Sequence, residues 1–418
     1  MRPTSIPSIT SQRQTILSIY QAALRSVEGE QAVSRYLAQH PLLGEWAVVA
    51  VGKAAASMAQ GAQHSLGDRI RSGLVITKYG HSDPRLSPPC WRVVESGHPV
   101  PDGNSLAAGE ALLAFVDTLP DEVPLLFLLS GGASALVEAL PEGMTLPELE
   151  QLNNWLLGSG LAIGQMNTIR KHLSRLKGGR LARHLRGRRC LQLLISDVPG
   201  DDPASIGSAP LYPPEGTTLP PGMPVWLQQL LERSVPLPAV GEPDFARIET
   251  HIIASNTLAR KAAATAARAM GLGVIDHPGH YQGSAERVAE EFADEMVQGE
   301  PGVYLWGGES SVELPPNPGC GGRNQHLALA AARRLAGTEN CLFLAAGTDG
   351  SDGSTEEAGA LVDGSTVERG GQEGLSAERA LHHADSGTFL EASGDLVETG
   401  PTGTNVMDLV IGWKWDAD

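Results

Sequence analysis

Residues 123–140 read VPLLFLLSGGASALVEAL. Five consecutive apolar residues, Leu125 to Leu129, have strand length and lack polar alternation, the mark of a strand buried on both faces. Ser130, Gly131 and Gly132 then break the run, and an alanine- and leucine-rich stretch with helical character follows. The order is therefore strand, glycine turn, helix. It recurs in EWAVVAVGKAAASMAQGAQ (45–63), while SGLVITKYG (72–80) and CLQLLISDVPGDD (190–202) supply two further short buried strands that end in turns. Apolar strands alternating with helices predict a parallel sheet covered on both faces, an α/β fold of Rossmann-like, three-layer type. In such sheets ligands gather at the carboxyl ends of the strands, where each of these glycine turns lies.

The 418 residues exceed one ordinary core and predict two domains. Between Tyr212 and Pro243 the chain becomes proline-rich (YPPEGTTLPPGMPVW, VPLPAVGEP), which suggests a boundary. The expected division is 1–240 for the first domain and 245–418 for a smaller, mixed α/β domain. The latter would hold the helix SNTLARKAAATAARAMG, the strand GVYLWGGESSVEL, the turn GCGGRNQ, the helix HLALAAARRLAG, the strand CLFLAAG and the closing TGPTGTNVMDLVIGW. Near the start, Ser11 and Gln14 fit a capping box ahead of a long amphipathic helix carrying Ile16, Ile19, Tyr20 and Val27.

The charge of -17 disfavours nucleic acid and anionic membranes as partners. Four scattered cysteines with no CxxC pair point to reduced thiols. With no signal-like apolar segment at the start and no run of about 20 apolar residues, a cytoplasmic protein is expected. A homodimer is compatible with the sequence but is not specified by it.

Several turns carry candidate chemistry. Ser130-Gly131-Gly132-Ala133-Ser134 lets backbone N–H groups converge at a helix start, which suits phosphate, although a plain tight turn has the same composition. Lys53 opens a helix whose dipole disfavours a cation. It is either solvated or held by an anionic ligand. The surrounding residues do not make a GxxxxGK[ST] loop, and no GxGxxG dinucleotide fingerprint follows a strand. In GTDGSDG (347–353), Asp349 and Asp352 can be turn formers, magnesium ligands or a general base for a hydroxyl. Asp197 and its neighbours form a second acidic turn after a strand. Residues 170–189 form a basic island in which Arg170, Lys171 or Lys177 could neutralise an anionic substrate. Arg323, alone in GGRNQ, suits bidentate binding of a carboxylate or phosphate.

Taken together, VGKAAASMA, ESGHPVPD, LSGGASAL, MNTIRKHLSRLKGGRLA, SDVPGDDPASIGSAP, GGES, GCGGRNQHLALA, GTDGSDGSTEEAGALVD and TGPTGTNVMDL resemble the glycerate 2-kinases of the MOFRL type, from about residue 50 onward. Departures are mild. Ala133 stands where the family usually has a third glycine, and His326 where it often has glutamate. The resemblance implies a Rossmann-like domain, a MOFRL domain and an active site in the cleft between them. It implies ATP-dependent phosphorylation of D-glycerate on its 2-hydroxyl, with Mg2+. Lys53, Arg323 and Asp349 match the family's catalytic positions. Ser130 to Ser134, with Asp197, would hold ATP. Arg170, Lys177 and Asn324 would contact substrate, and Asp197 and Asp352 would hold the ion. The competing readings are an NAD(P)H-dependent hydroxypyruvate reductase, disfavoured by the missing fingerprint, and a non-catalytic sensor of phosphorylated metabolites.

Overall fold

The computed structural model describes residues 9–161, 163–214 and 218–416. Leu125–Leu129 is a strand buried at all five positions, and Trp46–Val51 is one buried at all six. They belong to a six-stranded sheet made of β1 (Trp46–Val51), β2 (Ile70–Lys78), β3 (Trp91–Ser96), β4 (Leu125–Leu129), β5 (Cys190–Ile195) and β6 (Ile248–Ala254). Every pairing is parallel, in the order β3-β2-β1-β4-β5-β6. This doubly wound arrangement reverses direction between β1 and β4, where the two neighbours leave toward opposite edges. The core joins the two central strands to the helices that cover them, with Phe127, Leu125, Val49, Leu112 and Leu181 all essentially inaccessible.

The second sheet contains β7 (Val274–Ser284), β8 (Gly302–Ser311), β9 (Cys341–Gly347), β10 (Gly359–Asp363), β11 (Leu396–Val397) and β12 (Asp408–Lys414), in the order β11-β10-β9-β12-β8-β7. Only β7 and β8 run parallel; the other pairs are antiparallel, giving the expected mixed sheet. Its core stacks Trp306 on Phe292 at 4.4 Å and packs Phe343, Leu329 and Val410 around them.

The chain divides into residues 28–254 and, among the described residues, 9–27 with 255–416. This corrects the expected boundary of 240–245 in two ways. Residues 248–254 are the edge strand β6 of the first sheet, paired with β5. The helix Ile9–Val27, first in sequence, belongs to the second unit. Ile16, Ile19, Tyr20, Ala23 and Val27 are fully buried, and the Tyr20 hydroxyl donates to the Gly347 carbonyl at 2.6 Å. Arg13 adds ion pairs to Asp363 and Asp395, both at 2.9 Å, and these two carboxylates also hold Arg369. Ser11 lies inside this helix, which already runs at Ile9, so the expected capping box does not form. Among the described residues no helix is long and apolar enough to cross a membrane.

Candidate active site

In the unit of residues 28–254, the turns after β1 and β4 meet at the point where the sheet order reverses. The Lys53 N–H donates to the Gly131 carbonyl at 2.9 Å, and the Ala54 N–H donates to Ser130 Oγ at 3.0 Å. Gly52, at φ +127°, would place a Cβ 2.2 Å from Ser130 Oγ, so only glycine allows the two turns to close on each other. Gly132 is left-handed at φ +82°, and a Cβ there would lie 3.0 Å from Lys53 Cγ and 3.2 Å from His98 Nε2. Ser130, Gly131, Gly132, Lys53 and His98 are thus brought together. His98 was not singled out from the sequence. ESGHPVPD carried only a resemblance, and no spacing in it pointed to chemistry.

Two expectations change at this site. The segment Ala133–Leu136 is a single helical turn, too short for a substantial dipole, so backbone geometry matters here more than a helix terminus. At the start of the helix Ala55–Leu66, the N–H groups of Lys53 and Ala54 are already taken by the neighbouring loop. Ser134 Oγ lies 2.7 Å from Ser208 Oγ.

The basic island is largely structural. Lys177 is buried, and its ammonium pairs with Glu138 and donates to the Ser134 carbonyl at 2.7 Å. Expected as a substrate contact, it ties Ser134 at the end of the glycine loop to Glu138. Arg180 and Arg188 spend their guanidinium groups on backbone carbonyls, and Arg183 pairs with Glu242. Burial lowers the Arg180 pKa to about 10. Lys171 donates to the Ala204 carbonyl at 2.7 Å. Arg170 borders a small cavity shared with Glu138, Asn153 and Ser134; burial lowers its pKa, while Glu138 opposes the shift. Asp197 lies half-buried just past β5.

In the second unit the groups gather around the start of the helix Arg323–Leu335. Asp408 opens β12, between Gly308 of β8 and Gly347 of β9. Arg323 reaches the Asp408 carboxylate from the start of its helix. Its Nε donates to Asp408 Oδ2 at 2.7 Å and its Nη2 to Oδ1 at 3.0 Å, while Nη1 lies 2.6 Å from Glu309 Oε1. Burial works against the Arg323 charge, but Asp408 and then Glu309 outweigh it and raise the pKa. Asp349 is part of the same cluster. Its Oδ1 and that of Asp408 lie 3.4 and 3.5 Å from where a Gly347 Cβ would sit. Arg323 also lines a cavity of about 540 Å³ with Ser310, Gly322, His326 and Gly353. Asp408 and Glu309 were missed because they meet Arg323 only in the fold, across 85 residues of chain in the case of Asp408.

Asp352, expected as an ion ligand, is 2% exposed and caps the helix Arg323–Leu335. Its Oδ1 accepts the Asn324 N–H at 3.1 Å and its Oδ2 the Gln325 N–H at 2.8 Å. Burial, aided by Asp408, raises its pKa to about 7 against the opposing backbone bonds. Asn324, expected at the substrate, is buried and turns its amide toward the same carboxylate at 3.3 Å. Among the described residues no group of three or more His, Cys, Asp or Glu side chains is placed to hold a metal.

The chain matches two family descriptions: "Domain of unknown function (DUF4147)" over residues 15–220 and "MOFRL family" over residues 302–408. It is 37% identical to a D-glycerate 2-kinase of Thermotoga maritima, covering 96% of this chain and 98% of that protein. It is 36% identical to a putative hydroxypyruvate reductase of Agrobacterium vitis, covering 96% and 94%. A crystal structure of glycerate kinase from Thermotoga maritima superposes with a TM-score of 0.85 at 34% identity, over 97% of this chain and all of that one. Matched along nearly its whole length by these relatives, the chain belongs to the glycerate 2-kinase family of the MOFRL type.

Proposed function

We propose that this enzyme transfers the γ-phosphoryl group of ATP to the 2-hydroxyl of D-glycerate, giving 2-phosphoglycerate and ADP. The observation that carries the reading is Arg323. It is a guanidinium fixed by a buried carboxylate at the wall of a cavity, in a chain similar throughout to a D-glycerate 2-kinase. Phosphoryl transfer asks mainly for positioning and charge neutralisation. Arg323 receives the glycerate carboxylate, for which its planar fork is suited. Asp349 accepts the proton of the 2-hydroxyl as that oxygen attacks. The Ser130–Ser134 loop and the Lys53 ammonium hold the phosphates and offset the charge on the transferring group. Asp197 would help to hold a magnesium ion, whose chemistry when bound is to neutralise the β- and γ-phosphate oxygens.

The test is incubation with ATP, magnesium and D-glycerate, with the product identified by NMR. The expected product is 2-phosphoglycerate, and Asp349→Asn lowers kcat by about 10²–10⁴-fold. Absence of ADP formation with any small hydroxy acid would sink the kinase reading. A 3-phosphoglycerate product would overturn the regiochemistry alone. NADH oxidation with hydroxypyruvate would favour the reductase named among the relatives, and binding without turnover would favour a sensor.

A further inference from the structure

We propose that Glu309 is a resident carboxylate on the outer edge of Arg323 and that the substrate carboxylate displaces it, so that Glu309 sets the affinity for the acceptor. This rests on the reading that Arg323 receives that carboxylate. A guanidinium carries five N–H donors in a rigid fork. Asp408 takes the edge formed by Nε and Nη2. The edge left for a second bidentate partner runs across Nη1 and Nη2, and Glu309 already sits on Nη1 at 2.6 Å.

The two carboxylates hold Arg323 with unequal grip. Asp408 is 1% exposed and fixed between two strands, and breaking its pair with Arg323 would strand a buried charge. Glu309 is 46% exposed, and a solvated ion pair of this kind is weak and exchangeable. It stands on β8 one residue beyond Gly308, the register partner of Asp408, and touches Arg323, which with Ser310 lines the cavity. An incoming carboxylate therefore replaces Glu309 and leaves Asp408 in place. While Glu309 occupies the guanidinium edge, only a fraction of the enzyme is competent to bind, and the apparent affinity falls by that fraction.

The experiment measures KM for D-glycerate, KM for ATP and kcat in wild type, Glu309→Gln, Glu309→Asp and Arg323→Gln. Glu309→Asp keeps the charge but shortens the reach by one methylene. Displacement predicts that KM for D-glycerate falls about 1.4- to fivefold in both Glu309 variants, the size expected for a weak surface pair. KM for ATP stays constant and thermal melting changes little. A wild-type KM in Glu309→Asp with a fall only in Glu309→Gln would reveal plain charge repulsion and overturn displacement. An unchanged or raised KM in Glu309→Gln would overturn it too. Arg323→Gln separates the levels. If KM for D-glycerate is unaffected there, the reading of Arg323 itself fails. If it rises while the Glu309 variants match wild type, displacement alone fails.

Discussion

Asp352 shows how one residue's surroundings override its sequence context. Only three positions from Asp349 and likewise followed by glycine, it reads as its twin. Its carboxylate instead closes the first turn of the helix Arg323–Leu335, 28 residues away along the chain, and Gly322 makes room for it: a Cβ there would lie 2.3 Å from Asp352 Cγ. Nothing in a local window signals such a long-range cap. Its pKa of about 7 has a consequence for stability. The folded value lies above the ordinary 3.8, so the folded chain binds the extra proton. The associated stabilisation is complete below about pH 4 and is lost as pH rises through about 7. Asp352→Asn retains one acceptor, and losing the other bond costs about 1–3 kcal/mol. Urea unfolding at pH 5 and pH 8 should show the advantage of wild type over Asp352→Asn shrinking at the higher pH. A constant difference would mean that this carboxyl ionises normally in the folded chain.

At the level of elements, legibility followed burial. β1, β4 and β5 are buried at every position and stand out as apolar runs. β6 pairs on one side only and reads IETHIIA, with polar residues and intermediate exposure along most of its length. Its composition gives no strong strand signal, so the boundary was drawn too early, at the proline-rich segment. The helix Ile9–Val27 was visible from its periodicity, but an apolar stripe does not say which core it enters. Here it packs in the unit of β9 and β12. Ile19→Ala, at a fully buried position, should destabilise by about 2–4 kcal/mol. Hydrogen exchange should place the lost protection in Cys341–Gly347 and Asp408–Lys414 and spare Leu125–Leu129. Equal loss in both sheets would show that the helix stabilises the molecule as a whole.

At the scale of the whole molecule, two sheets with separate cores divide the chemical groups between them. The glycine turns with Lys53 and His98 belong to residues 28–254, while Arg323, Asp349 and Asp408 belong to the other unit. With Lys177 and Asp352 committed to internal pairs, the candidate groups left for ligands are fewer than the sequence offered. The proposed function assigns phosphates to the first set and the glycerate carboxylate to the second, which makes the ligands separable probes. A ligand that binds only the folded form at 100 times its Kd stabilises it by about 2.7 kcal/mol, and local protection reports where it sits. ATP with magnesium should slow exchange at residues 52–54 and 130–134. D-glycerate alone should slow it at residues 321–324 and 347–351, and Arg323→Gln should abolish that second effect without touching the first. The reverse pattern, with ATP protecting 321–324 and D-glycerate protecting 130–134, would exchange the two assignments: Arg323 would then serve the nucleotide and the glycine loop the acceptor.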